Sequence, residues 1–253
     1  MDIQIFSDFH GEAYTGRPDT IWAYVTPMAE VAVVAGDIDA RNFETTINEI
    51  ASKFKHVICV AGNHEWYRRD ISWRPDPTLM ASNVHFLDRS AVMIDGVQFA
   101  GATLWTDFKN QDWHVMHSAN DGINDFHVIR KGDRKFKAHD ALELHHKDRG
   151  YLRAVIDNPI HDESKLVIVT HFLPSYNLVH EKWRALGTNM LNYYFSCSCD
   201  DLIEHAGQVG VPAWIFGHTH DRRDMMLGDV RCVCNPIGYP RENPGYQDMV
   251  ITV

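Results

Sequence analysis

The chain has 253 residues, 45% of them hydrophobic, and a formal net charge of −10 at pH 7. This acidic balance disfavours a protein that binds extended duplex nucleic acid, because such proteins need a long basic face to neutralise phosphates. No apolar run approaches membrane-spanning length, and a predicted strand starts at residue 3, which leaves no room for a signal peptide. We therefore expect a cytoplasmic protein with no membrane partner, in which the five cysteines are reduced thiols.

Apolar runs predict five buried strands along the chain. They cover residues 3–6, 31–35, 57–61, 166–169 and 213–216. Continuous runs of this length, bounded by glycine and polar residues, are typical of strands covered on both faces. Shorter strands are predicted near 84–87, 91–94 and 97–101, and near 224–227, 230–234 and 248–253, with a turn at 227–229.

Helices are predicted near 43–53, 139–156 and 199–206. Three stretches look irregular, at 66–80, 105–137 and 174–194. A basic run at 130–137 is interpreted as a solvated loop, with a phosphate clamp as the alternative. Two C-x-C pairs lack the usual C-x-x-C zinc spacing. His145 and His146 are assigned to the polar or boundary face of the second helix.

Each of the five long runs is followed by residues that can bind a metal. The segments read D-F-H at 8–10, G-D at 36–37, G-N-H-E at 62–65, T-H at 170–171 and G-H-T-H at 217–220. Strand ends meet at one edge of an open α/β sheet. If the backbone is extended there, Asp8 and His10 point the same way, and so do His218 and His220. The residues from 8 to 220 must share one site, so we predict one domain over 1–253.

Carboxylate, imidazole and amide groups without thiolate suit Mn, Fe, Co, Ni or Zn better than calcium or a structural zinc. The residues therefore predict a two-metal hydrolytic site. Glycines at 36, 62 and 217 would permit sharp turns out of the sheet at these segments.

The five segments, in this order, resemble the calcineurin-like metallophosphoesterases through nearly the whole chain. The segments at 101–106 and 234–236 resemble a bacterial or phage-encoded branch. The resemblance implies an α/β fold with two mixed β-sheets packed face to face and helices outside, a four-layer α/β/β/α sandwich. It also implies two divalent metal ions, with manganese expected first and Fe, Zn, Co or Ni as alternatives.

The family pattern assigns a role to each motif residue. It implies a first metal on Asp8, His10 and His220, a second on Asn63, His171 and His218, and Asp37 as the bridge. A hydroxide shared by the two metals would attack phosphorus. His64 would act as the general acid, and Glu65 would orient it or lie behind the ligands. Ala40 stands where protein Ser/Thr phosphatases have a second aspartate, which argues against that class.

Neighbouring side chains are candidates for substrate binding. Trp66, Tyr67, Arg68, Trp105 and Phe172 flank the motifs, and aromatic faces there can stack on a nucleobase. The alternative is that they pack the loops. We expect a phosphodiesterase for a small nucleotide-like or short nucleic-acid diester. A phosphomonoesterase with the same site and a scaffold that has lost catalysis are the alternatives.

Overall fold

The computed structural model describes residues 1–14, 25–159, 165–185 and 190–253. The first of two large sheets contains β1 Asp2–Phe6, β2 Val31–Ala35, β3 His56–Val60, β4 Val84–Leu87 and, late in the chain, β13 Val250–Thr252. Its order is β13-β1-β2-β3-β4. The strand β13 is antiparallel to β1, and the other neighbours are parallel. The carboxyl ends of β1, β2 and β3 therefore lie at the same edge.

The second sheet is also mixed. The intervening strands are β5 Ser90–Ile94, β6 Val97–Ala102, the small hairpin β7 Arg130–Lys131 and β8 Arg134–Lys135, β9 Lys165–Thr170, β10 Ala213–Ile215, β11 Arg223–Leu227 and β12 Val230–Cys234. The large sheet has the order β11-β12-β10-β9-β6-β5. Its four central strands are parallel, while β5 and β11 are antiparallel edges. The predicted hairpin turn after residue 227 is confirmed.

The long apolar runs arise because each central strand is covered on both faces. In β1, Ile5 belongs to a buried cluster that also contains Phe99 and Val167 of the second sheet. The next residue, Phe6, points to the opposite face and packs in a cluster with Phe43 from a helix. Burial of one such side chain contributes about 1.5–3 kcal/mol. The predicted four-layer arrangement, with two sheets face to face and helices outside, is confirmed.

The helices are α1 Phe43–Ala51, α2 Phe108–Gln111, α3 Trp113–Gly122, α4 Asp125–Val128, α5 Ala138–Asp157, α6 Glu181–Arg184, α7 Asn192–Phe195 and α8 Asp200–Gln208, with 3-10 turns at Gly11–Tyr14, His64–Trp66 and Tyr176–Leu178. The predictions near 43–53, 139–156 and 199–206 are confirmed to within two residues. No helix within the described ranges is long and apolar enough to cross a membrane.

The prediction that 105–137 is irregular is wrong, since this stretch holds α2, α3, α4 and the small hairpin. Its helices have only four to ten residues, too few turns for a clear hydrophobic period. The stretch 174–194 likewise contains α6 and part of α7, and its residues 186–189 lie outside the described part of the chain.

Some polar residues outside the motifs differ from their predicted surroundings. His145 is buried, and one ring nitrogen is bonded to the carbonyl of Trp105, because α5 packs closely on the loop after β6. Within the basic run, Lys131 and Arg134 form ion pairs with Asp140 at the start of α5. The five cysteines are free and buried.

Candidate active site

Loops at the carboxyl ends of strands from both sheets bring the predicted ligands together. The ligand atoms of Asp8, His10 and His220 lie within 4.8 Å of one another, and those of Asp37, His171 and His218 form a second such group. Asn63 adjoins the second group, because its Oδ1 lies 3.1 Å from His171 Nε2. The first group is the set assigned to the first metal from the sequence, and the second group combines two residues assigned to the second metal with the assigned bridge, Asp37.

Asp37 belongs to the second group and also faces the first. Its Oδ2 is 3.7 Å from His10 Nε2 and 3.4 Å from His171 Nε2. The other carboxylate oxygen accepts the backbone N–H of His64 at 2.9 Å. Burial alone would raise the pKa of Asp37, but the neighbouring imidazoles, His171 foremost, lower it well below its ordinary value. One ionised carboxylate therefore faces both groups, as a bridging ligand requires.

Three of the imidazoles are oriented by a contact to Nδ1, the ring nitrogen that points away from the cluster. His10 Nδ1 lies 3.3 Å from Glu12 Oε1, and His220 Nδ1 lies 2.8 Å from Glu242 Oε2. His171 Nδ1 lies 2.8 Å from the carbonyl oxygen of Ala35. Contacts of this kind fix the tautomer and leave Nε2 as the available ligand atom.

The donor set fits a pair of divalent cations. His10 Nε2 and His220 Nε2 lie only 2.9 Å apart, and His171 Nε2 lies 3.1 Å from His218 Nδ1. His218 Nε2 is buried and has no hydrogen-bond partner among the described residues. Nitrogen and carboxylate donors crowded in this way match the preferences of Mn, Fe, Co, Ni or Zn.

The backbone is not extended at the ligand pairs Asp8 with His10 and His218 with His220, so the condition under which each pair would point the same way is not met. Asp8, His10, Asp37, His218 and His220 all have positive φ, between 47° and 69°. Non-glycine residues adopt this region at a cost of about 1–3 kcal/mol each, and such residues concentrate at functional sites. These five ligands therefore reach the cluster through left-handed backbone kinks and not through strand alternation.

Two motif glycines provide space behind Asp37. Gly36 has φ +83°, as expected for a sharp turn. A Cβ on Gly62 would lie 2.1 Å from Asp37 Oδ1.

The carboxylate of Glu65 accepts backbone N–H groups from residues 37, 38, 39 and 62 at 2.6–3.2 Å. Of its two predicted roles, Glu65 therefore takes the one behind the ligands and holds their backbone.

Glu12, which the sequence analysis missed, orients His64. Its Oε1 lies 2.8 Å from His64 Nδ1, and its Oε2 accepts the backbone N–H of Ala40. Burial lowers the pKa of His64, but Asp37 and Glu12 more than reverse this effect and raise the pKa to about 9. The opposite ring nitrogen, Nε2, lies 3.4 Å from the hydroxyl of Tyr239. His64 thus has one nitrogen on Glu12 and the other toward the cavity.

Asp125 is a second residue that the motifs did not reveal. Its Oδ1 accepts hydrogen bonds from Asn63 Nδ2 and from the Tyr67 hydroxyl, both at 2.9 Å. Its Oδ2 accepts from the Tyr194 hydroxyl. Because Asp125 holds the amide nitrogen of Asn63, the amide oxygen is directed toward His171.

A cavity of about 520 Å³ opens beside the cluster. Tyr67 lines it and stacks on His64, with ring centroids 4.0 Å apart. The remaining predicted substrate contacts do not line it. Three of them, Trp66, Trp105 and Phe172, are buried in the core beneath the cavity. The alternative interpretation, that these aromatic side chains pack the protein interior, is therefore the correct one for them. Arg68 is exposed and lies off the cavity wall.

Comparison with known proteins agrees with this geometry. The chain is 22% identical over 259 residues to the uncharacterized protein L509 of Acanthamoeba polyphaga mimivirus, an alignment that covers 90% of this chain and 86% of the relative. The crystal structure of phosphopantetheinyl hydrolase from Mycobacterium tuberculosis is similar in fold, with a TM-score of 0.71, 18% identity and coverage of 98% of this chain and 95% of that one. The model of the calcineurin-like phosphoesterase family matches residues 1–222. The chain belongs to the calcineurin-like phosphoesterase family.

Proposed function

We propose that this protein is a metal-dependent phosphodiesterase that acts on a small substrate. The observation that carries the proposal is the position of Asp37, which faces two ligand groups at once, with His64 beside it at the cavity. Two divalent ions, manganese as the first candidate, would be held by Asp8, His10, Asp37, Asn63, His171, His218 and His220. When bound, they supply Lewis-acid activation of a water nucleophile and of the phosphoryl group.

His64 supplies the proton for the leaving group in this proposal. Glu12 accepts from Nδ1, so the proton on Nε2 is directed toward the cavity. That nitrogen lies 4.0 Å from Asp37 Oδ2, the carboxylate oxygen that faces both ligand groups. An imidazolium there can protonate a departing alkoxide.

The charge of the cavity favours a diester over a monoester. No lysine or arginine stands among the described residues that line it, whereas Asp37, Asp125 and Glu242 do. A phosphodiester carries one negative charge and a monoester close to two at neutral pH. The monoester would therefore bring an additional anionic charge into a site whose described lining offers no lysine or arginine, and whose one imidazolium outside the ligand set, His64, is directed at the leaving group.

The expected cytoplasmic location stays a prediction, as does the absence of duplex nucleic acid and membrane partners. A nucleotide-like or short nucleic-acid diester stays one substrate candidate. Because a solved structure of similar fold is a phosphopantetheinyl hydrolase, a phosphopantetheinyl diester belongs in the first substrate panel.

The test compares bis-(4-nitrophenyl) phosphate with 4-nitrophenyl phosphate after loading the protein with Mn. We expect faster cleavage of the diester. His64→Ala should lower the rate about 10²- to 10⁴-fold with an alkyl leaving group, and less with nitrophenolate, which departs without protonation. His117→Ala, at an exposed histidine off the cavity wall, is the matched control and should retain full rate.

Preferential cleavage of the monoester would replace this proposal with a phosphomonoesterase. Inactivity toward both esters after metal loading would favour a non-catalytic scaffold. Equal losses for alkyl and nitrophenyl leaving groups in His64→Ala would contradict the general-acid role.

A further inference from the structure

Six apolar side chains line the cavity beside the ligand cluster, and we name the part of the cavity that they border the apolar chamber. They are Ile123, Leu173, Val179, Trp183, Leu191 and Phe195. The chamber begins next to the metal ligands, because the ring of Phe195 lies 4.9 Å from that of His218. A group esterified to a phosphate bound at the cluster would therefore extend along this wall.

The loops that build the chamber are tied to the ligand side of the site. Leu173 follows the strand end that carries His171, and Phe195 ends the helix that contains Tyr194. Tyr194 donates to Asp125, which also holds Asn63. The chamber wall and the second ligand group are thus fixed by one hydrogen-bonded carboxylate.

Lys182, the neighbour of Trp183 in the chain, is paired with an aspartate. The indole N–H of Trp183 donates to Asp221 Oδ2 at 2.7 Å, and Lys182 Nζ donates to Asp221 Oδ1 at 2.5 Å. The Trp183 ring remains 43% exposed at the mouth, while Lys182 does not line the cavity. Lys182 Nζ also lies 4.9 Å from the centroid of the Trp183 ring, but its charge is paired with Asp221.

We propose that the apolar chamber binds the organic group of the substrate, and that this group is uncharged and largely apolar. This inference rests on the proposed function, since it assigns the substrate class of the same site. A second phosphate in the chamber would lose its hydration without meeting a cationic side chain on the described wall. Apolar groups gain free energy there by leaving water. Esters of phosphate with neutral, apolar alcohols are the class that fits best, and they rank ahead of the nucleotide-like and phosphopantetheinyl diesters in the substrate panel.

The experiment measures binding of methyl alkylphosphonates, diester analogues with one negative charge, to the Mn-loaded protein by calorimetry. Full burial contributes about 0.8 kcal/mol per methylene, or about a fourfold gain in affinity. Allowing for partial burial, we expect hexyl to bind at least about thirtyfold tighter than methyl, with a negative heat-capacity change. An analogue with a phosphonate at the far end of the hexyl chain should bind no tighter than methyl.

Variants locate the effect. Leu191→Ser should reduce the ratio of hexyl to methyl affinity several-fold, and Ile123→Lys should selectively improve binding of the analogue with the terminal phosphonate. Leu79→Ser, at an exposed leucine off the cavity wall, is the matched control and should keep the wild-type ratio.

A flat chain-length series in the wild-type protein, or a series that Leu191→Ser leaves unchanged, would overturn the inference. Tight binding of the terminal phosphonate by the wild-type protein would also overturn it. Because calorimetry does not require turnover, a steep series without hydrolysis would support the chamber assignment while contradicting the proposed function.

Discussion

At the scale of single residues, Glu12 is the positioning group for His64. We expect Glu12→Gln to lower the rate with an alkyl leaving group about 10- to 100-fold, the usual effect of removing an outer partner, because the imidazolium loses its charged acceptor. The measurement is kcat at saturating metal, since Glu12 also contacts His10. In a His64→Ala background the same change should have almost no further effect.

Additive losses in that double-mutant cycle would contradict the positioning role, because they would mean that Glu12 acts independently of His64. Glu143→Gln, an exposed carboxylate on α5 that lies away from the cavity, is the control and should leave both backgrounds unchanged.

Asp125 fixes the orientation of a predicted ligand. In Asp125→Asn, the new side-chain amide can donate toward Asn63 and no longer requires the Asn63 nitrogen to face it. We expect metal affinity at the second ligand group to fall about 10- to 100-fold, as for other outer partners of metal ligands. Metal titration with elemental analysis measures this. Tyr67→Phe removes another donor to the same carboxylate and should have a smaller effect. Equal metal affinities in the wild type, Asp125→Asn and Tyr67→Phe would show that Asn63 does not depend on Asp125 for its orientation.

The motifs identify the clustered residues, but they do not identify these two partners. Glu12 lies 52 residues from His64 in the chain, and Asp125 lies 62 residues from Asn63. Neither belongs to a recurring short pattern, so only the folded arrangement connects them. The predicted role of Trp66 and Trp105 in stacking on a nucleobase does not hold for a related reason. That a residue stands next to a motif in the sequence does not say whether its side chain is buried or faces the cavity.

At the scale of secondary-structure elements, Asp140 stabilises the start of α5. Its carboxylate accepts the backbone N–H of Lys137 at 2.9 Å, and also bonds Lys131 and Arg134. We expect Asp140→Asn to reduce the free energy of unfolding by about 1–3 kcal/mol, since it weakens a cap and removes the charged partner of Arg134, while Lys131 keeps Glu143. Chemical denaturation at pH 7 measures this, with Glu204→Gln, at an exposed carboxylate on α8, as the control.

The pH dependence of the same variant has a definite sign. Burial opposes ionisation, but the bonds from Arg134 and Lys131 lower the pKa of Asp140 below its ordinary value of 3.8. The wild-type advantage should therefore be complete above pH 5 and decline as the pH falls below 4 toward the folded-state pKa. An advantage that grows on acidification would contradict this assignment.

Long helices, in which the hydrophobic pattern repeats several times, are predictable from the sequence, whereas helices of a single turn are not. The twenty residues of α5 give a clear helical pattern, whereas α2 has four residues, all with positive φ. Single left-handed residues are uncommon, and a full left-handed turn depends on tertiary contacts that no local pattern encodes.

At the scale of the whole molecule, the predicted ligands join the two sheets. Asp8, Asp37 and Asn63 follow strands of the first sheet, while His171 and His218 follow strands of the second. Each ion that binds only this folded arrangement must stabilise it, by about 2.7 kcal/mol at a concentration one hundred times its Kd. For a chain of this length that corresponds to a rise in Tm of about 5–10 °C for each ion.

Scanning calorimetry after EDTA dialysis, with and without added Mn, measures this rise. Asp37→Asn removes the negative charge that faces both groups, so its Tm should respond far less to Mn. Asp95→Asn, at an exposed carboxylate outside the cavity, should respond like the wild-type protein. If Asp37→Asn and the wild-type protein gained the same number of degrees, Asp37 would not be the bridge, and the ions would bind each sheet separately.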